Sequence, residues 1–111
     1  MNYDQKFFRV SSNANNGEIT TDTIFKYNQL GDILMGEYSG GMINRGQLIG
    51  KVDADGNINM RYQQINTKGE LMTGECQSRP ELLPNGKIRL HEKWQWTSGD
   101  YSSGTSILEE I

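Results

Sequence analysis

Ile88-Arg89-Leu90-His91-Glu92-Lys93-Trp94-Gln95-Trp96 alternates without a break: Ile88, Leu90, Glu92, Trp94 and Trp96 hold the even positions and polar residues fill the odd ones. A period of two places each set on one face of a β-strand. The apolar face therefore carries two tryptophans and a carboxylate. An isolated buried charge is too costly to persist, so Glu92 must be hydrogen-bonded, paired or protonated. That makes Glu92 the strongest single pointer to a site.

Glycines cut the rest of the chain into about eight strand-length pieces, the texture of an all-β meander. Lys6 to Ser12 ends at Asn13-Ala14-Asn15-Asn16-Gly17, and Thr21 to Gln29 sets Thr23, Phe25 and Tyr27 on one face. Gly31-Asp32 turns into Ile33 to Ser39, with Ser39 to Gly46 expected as a flexible hairpin connection. Gln47 to Asp53 puts Leu48, Gly50 and Val52 together, and Asp55-Gly56 is a strong hairpin signal. Asn57 to Asn66 places Ile58, Met60, Tyr62 and Gln64 on one side, followed by Glu70 to Ser78. Arg79 to Gly86 contains both prolines and is expected to be a loop or bulge, the place where strand parity would shift. Tyr101 to Ile111 closes the chain, with Glu109 on the parity expected to face inward. No segment has a sustained helical period with caps.

An open sheet of this size would expose two edges and a wet apolar face. The expected fold is therefore a single all-β domain over residues 1–111, an antiparallel up-and-down meander closed into a small calycin-like barrel. Residues 1–5 are expected to be a flexible lead. Gly36, Gly50, Gly74 and Gly104 recur inside the strands, as they do at barrel bends and close approaches.

The bulk numbers narrow the function classes. A net charge of -3 with thirteen glycines and two prolines fits a turn-rich folded domain. A pI near 5.1 and mean hydropathy of -0.70 show no basic face for nucleic acid. The single Cys76 excludes an internal disulfide and disfavours a cysteine-based metal cluster. No apolar run reaches the ~18 residues of a membrane span, and the polar start Met1 to Gln5 lacks a signal-peptide core. The expectation is a cytoplasmic protein without membrane or nucleic-acid partners, metal or cofactor.

In a barrel, one strand face lines the lumen. Phe25 and the candidate ligand-binding residues Tyr27, Tyr38, Tyr62, Gln64, Glu92, Trp94 and Trp96 then face inward together. Aromatic walls supply contact area while a few polar groups fix orientation, the make-up of a small-molecule pocket. Gln64 and Glu92 are the expected polar anchors, and no catalytic residue is assigned. Arg61 falls on the outer parity, where it faces solvent or pairs with a carboxylate. His91 also lies on the outer parity. Glu75 and Glu92 invite comparison with the carboxylate pair of a glycosidase, although nothing in the sequence fixes their separation. The preferred reading is a binding barrel. The alternatives are an interaction module with a filled interior that forms a homodimer, and an enzyme using Glu92.

Gly31 to Gly50, with Gly36, Tyr38, Gly40-Gly41, Gly46 and Leu48-Ile49-Gly50, together with Arg61-Tyr62-Gln63-Gln64, carries a family texture. So does Gly86 to Glu92 with Trp94-Gln95-Trp96-Thr97-Ser98-Gly99. Across nearly the whole chain these stretches resemble a family of small uncharacterised bacterial proteins, some of them labelled N-acetylglutamate synthase. That label implies an acetyltransferase fold with a helix-terminus loop for coenzyme A, and this sequence has neither feature. By strand number and size the chain is also similar to calycin-type barrels such as lipocalins, avidins and fatty-acid-binding proteins, an architectural likeness that does not carry function. The stretch Tyr38 to Gly50 faintly resembles a MORN hairpin, but without a fixed period.

Overall fold

The computed structural model describes residues 1–14 and 17–111. Eight strands follow one another: β1 (Lys6–Asn13), β2 (Ile24–Leu30), β3 (Ile33–Gly40), β4 (Ile43–Val52), β5 (Ile58–Asn66), β6 (Leu71–Leu82), β7 (Ile88–Trp96) and β8 (Ser103–Glu110). Each pairs antiparallel with its successor, and β8 returns to β1 to close the barrel. Of the expected turn at 13–17, Asn15 and Asn16 lie outside the described residues.

Two expected loops are strand instead. β4 begins at Ile43, because Gly40 and Gly41 both take positive φ (113° and 61°) and reverse the chain within the pair Gly40↔Ile43. The expected break at 79–86 is shorter too. β6 runs through Pro80 to Leu82, in continuous register with β7 from Gly74↔Trp96 to Leu82↔Ile88. Pairing with β5 ends at Ser78, so Pro80 sits where the strand has one neighbour and a missing N–H is tolerable. The true loop is closed by Leu83 N donating to Lys87 O and Gly86 N to Leu83 O.

Parity therefore survives where a shift was expected, and shifts elsewhere. The register of β1 against β8 slips between Val10 and Ser12. Phe8 and Val10 point inward, and beyond the slip Asn13 faces the buried Ser106. A second slip between Ile43 and Arg45 puts Ile43 and Gly46 on the same inner face. Glu109, expected inward, points out. Ser106 and Leu108 hold the inner positions of β8, and Glu109 pairs with Arg89 at 3.5 Å.

The interior is apolar and ring-rich. Tyr3, in the lead expected to be flexible, is fully buried at one end of the barrel and donates its hydroxyl to Gly56 O. Its backbone N–H donates to Gln29 Oε1, and Asp4 accepts from Gln29 N. Tyr3, Phe8 and Tyr27 pack within 6.4 Å of one another and fill this end. Each buried aromatic contributes roughly 1.5–3 kcal/mol from area alone.

Small residues make room for the rings. Tyr27 faces Gly36, Tyr38 faces Gly46, Tyr62 and Trp96 both flank Gly74, and Trp94 faces Gly104. At Gly46, Gly74 and Gly104 a Cβ would collide with the opposed ring. These glycines are seats for aromatics.

Candidate functional site

The end opposite Tyr3 is formed by the last residues of β3, β5 and β7, the first of β2, and the connection from Gly17 to Thr23. Beneath it lies a cavity of about 50 Å³. Every expected lumen residue lines it: Phe25, Tyr27, Tyr38, Tyr62, Gln64, Glu92, Trp94 and Trp96. The strand alternation brings these together because β2, β3, β5 and β7 each keep their inner parity through this region. Arg61 and Glu75 stay outside, 3.7 Å apart across β5 and β6, so Glu75 and Glu92 form no catalytic pair. His91 is outside as well, with Nε2 2.8 Å from Glu81.

The walls are arranged in two aromatic groups. Phe25 and Tyr38 stack at 4.7 Å between centroids, while Tyr62, Trp94 and Trp96 meet edge to face at 5.6–5.8 Å. Such geometries suit the ring quadrupoles and add about 0.5–1.5 kcal/mol per pair beyond burial.

The polar groups are held with defined orientation. Ser78 donates its hydroxyl to Glu92 Oε2 at 2.6 Å. Burial raises the Glu92 carboxyl from 4.5 to about 7, with the Ser78 hydroxyl and Cys76 thiol pulling the other way. Near neutral pH the group is therefore divided between acid and carboxylate, able to donate or to accept. The Cys76 thiol is pushed up by burial and then by Glu92, which leaves it a poor nucleophile. Tyr38 donates to Gln64 Oε1 at 2.9 Å. Trp94 Nε1 donates to Ser106 Oγ at 2.7 Å, and Ser106 passes the chain on to Asn13 Oδ1.

Tyr27 differs from the rest. Its hydroxyl is buried and has no hydrogen-bond partner among the described residues. Burial, followed by the nearby Glu92 charge, holds its ionisation well above the ordinary range, so it is a permanent O–H donor. Buried donors are almost always paired, and an orphan of this kind asks for an explanation such as a bound group.

Several contributors are not among the expected lumen residues. Glu18 roofs the cavity, with its carboxylate accepting from Gln64 Nε2 at 2.7 Å and Asn66 Nδ2 at 2.8 Å. Asn13 ties this connection to the wall by donating from Nδ2 to Ile19 O. Leu48, Met60 and Cys76 complete the lining. Inner parity alone identifies Leu48, Met60 and Ser106, whereas Glu18 lies in a stretch without periodicity.

A closed eight-stranded meander with tryptophans and a buried carboxylate in its lumen narrows the families to be considered. The sequence profile of avidin-like proteins matches residues 1–111, the whole chain. The chain belongs to the avidin-like family. No curated protein and no solved structure matches it. In this avidin-like barrel the lumen is nearly full. Typical small-molecule sites measure roughly 300–1,000 Å³, and the cavity of about 50 Å³ is well below that range.

Proposed function

We propose that this avidin-like barrel is a non-enzymatic binder that takes the compact polar head of a small molecule in its lumen. The observation that carries the reading is the buried Tyr27 hydroxyl, without a partner among the described residues, in a cavity shared with Glu92. Tyr27 requires an acceptor, and Glu92 at about pH 7 accepts from an N–H or donates from its acid form. A planar amide-type group supplies both partners, and Trp94, Trp96 and Tyr62 give it apolar walls. Tyr38 and Gln64, bonded to each other, mark the polar side nearer the mouth. Avidin-like barrels typically bind small ligands, which supports the class of activity and leaves the ligand to the chemistry of this lumen.

A binder fits these residues better than an acetyltransferase or a Glu92-dependent enzyme. Glu92 is bonded to Ser78, and the lumen thiol is held in its inert form.

The test is an NMR titration of the indole N–H signals of Trp94 and Trp96 with acetamide and 2-pyrrolidinone. Saturable shifts in the wild type, at least tenfold weaker in Tyr27→Phe, are expected. No saturable shift at either indole would overturn the amide-type ligand.

A second reading, self-association, rests on the outer face. Met35 and Ile49 stand opposite each other on β3 and β4, 43% and 58% exposed, with Ile33 and Leu30 nearby. Paired apolar side chains of this kind are what a homodimer contact covers. Light scattering of the wild type and of Ile49→Lys decides it: a dimer dissociated by the substitution is expected, and a wild-type monomer contradicts it.

A further inference from the structure

Two side-chain amides on β5 are fixed so that their N–H groups converge on one carboxylate. Gln64 and Asn66 are separated by one residue, both face inward, and both are almost wholly buried. The Gln64 oxygen is taken by the Tyr38 hydroxyl, which turns Nε2 to the mouth. The Asn66 oxygen is taken by the backbone N–H groups of Lys68 and Glu70, which turns Nδ2 the same way. Glu18 accepts from each amide with a different oxygen, Oε1 from Gln64 and Oε2 from Asn66. Asn66 Nδ2 also reaches Glu70 Oε1 at 2.9 Å and Met72 Sδ at 3.8 Å.

Glu18 belongs to no strand. It arrives from a connection anchored by Asn13 to Ile19 O on one side and by Thr23 on the other, where Thr23 N donates to Thr20 O and Thr23 Oγ1 to Gly40 O. The receiving amides would keep their orientation without it, since Tyr38, Lys68 and Glu70 set that orientation independently. A receptor that is fixed by its own scaffold and filled by a side chain from a loop has the form of a site occupied by an internal competitor.

We infer that Glu18 is a stopper: its carboxylate fills a two-amide cradle on Gln64 and Asn66 that also accepts a free carboxylate, and release of Glu18 opens the lumen. The cradle exists whatever fills the deeper cavity, so it stands or falls separately from the lumen ligand. Charge-assisted bonds to a carboxylate are about twice as strong as neutral ones, so the cradle discriminates a carboxylate from an equally shaped amide.

The experiment is chemical rescue. Propionate and propionamide are titrated into wild type, Glu18→Ala and Glu18→Gln, reading the side-chain amide NMR signals of Gln64 and Asn66 together with the melting temperature. Glu18→Ala should bind propionate at least tenfold more tightly than wild type, with saturable shifts of both amide groups and a rise in melting temperature. Propionamide should do neither. If Glu18→Ala does not fold, Glu18→Gln carries the same comparison, because one weakened oxygen lowers the competitor's hold. Equal propionate affinity in wild type and variant, or equal rescue by propionamide, overturns the inference. Shifts at the Trp94 and Trp96 indoles alone, with Gln64 and Asn66 unmoved, also overturn it while leaving the lumen site intact.

Discussion

Trp94 on β7 lies across Gly104 on β8, and the indole ring occupies the space where a side chain at 104 would stand. A Cβ there would come within 2.5 Å of Trp94 Cζ2 and 2.9 Å of Ala14 Cβ. The two residues are register partners, and two positions further along β8 Ser106 receives the indole N–H. One strand thus supplies both the seat and the anchor of a lumen tryptophan. Tyr38 with Gly46 and Tyr62 with Gly74 repeat the arrangement, which lets a small barrel enclose large rings.

Gly104→Ala should therefore destabilise the protein by about 1–3 kcal/mol, the range for overpacking a well-filled core. The expected signature is a lower denaturation midpoint with altered near-ultraviolet circular dichroism, since the indole must turn. An unchanged Trp94 environment would contradict the seating account.

Ser106 links Trp94 to Asn13, so Ser106→Ala leaves a buried indole N–H without its acceptor and cuts the tie to the β1 end. The expected loss is about 1–3 kcal/mol, as for an unsatisfied buried donor. Denaturant titration followed by tryptophan emission measures it.

Glu92 gives a pH dependence with a defined sign. Its carboxyl titrates near 4.5 when exposed and at about 7 in the folded protein. The folded state therefore holds the proton more tightly. Glu92 contributes stability that is fully present below about pH 4.5, falls as pH rises through about 7, and is lost above it. The difference amounts to roughly 3 kcal/mol at 1.36 kcal/mol per unit. Glu92→Gln keeps an acceptor for Ser78 and cannot ionise. From about pH 5 to 7 the stability of the wild type should fall relative to Glu92→Gln, and the difference should level off at higher pH. A constant difference would show that Glu92 titrates as an exposed carboxylate does.

Tyr27→Phe removes a hydroxyl that has no partner among the described residues. Stability of the unliganded protein should be unchanged or rise by about 1 kcal/mol, because an unmet desolvation penalty disappears. The midpoint of thermal unfolding measures this. A loss above about 1 kcal/mol would mean that the hydroxyl is already satisfied within the fold.

Much of this barrel can be read from its sequence, and the exceptions have physical causes. β7 was legible because it is a bulge-free strand, so Glu92, Trp94 and Trp96 fall inside on simple alternation. Proline at position 80 looked like a break, yet a proline beyond the end of one pairing partner disturbs nothing. The real parity shifts, at Val10/Ser12 and Ile43/Arg45, carry no proline and no conspicuous local signal. The β1 shift is why Asn13 is not assigned to the lumen, whereas Glu109 is expected inward because Ile107 and Leu108 fall on opposite faces of β8 and leave its parity undecided. Glu18 was illegible because its partners lie 46 and 48 residues away and no period governs a connection. Interior glycines announced close approaches, but only the register shows that Gly46, Gly74 and Gly104 face rings while Gly50 lies between Leu34 and Met60.

Native mass spectrometry of the wild-type protein, purified gently from its own host, tests the central claim most directly. The account predicts a stoichiometric adduct of small-molecule mass that is absent from Gly74→Leu, whose side chain would invade the space of Tyr62. A bare wild-type protein, or an adduct retained unchanged in folded Gly74→Leu, would contradict binding in the lumen.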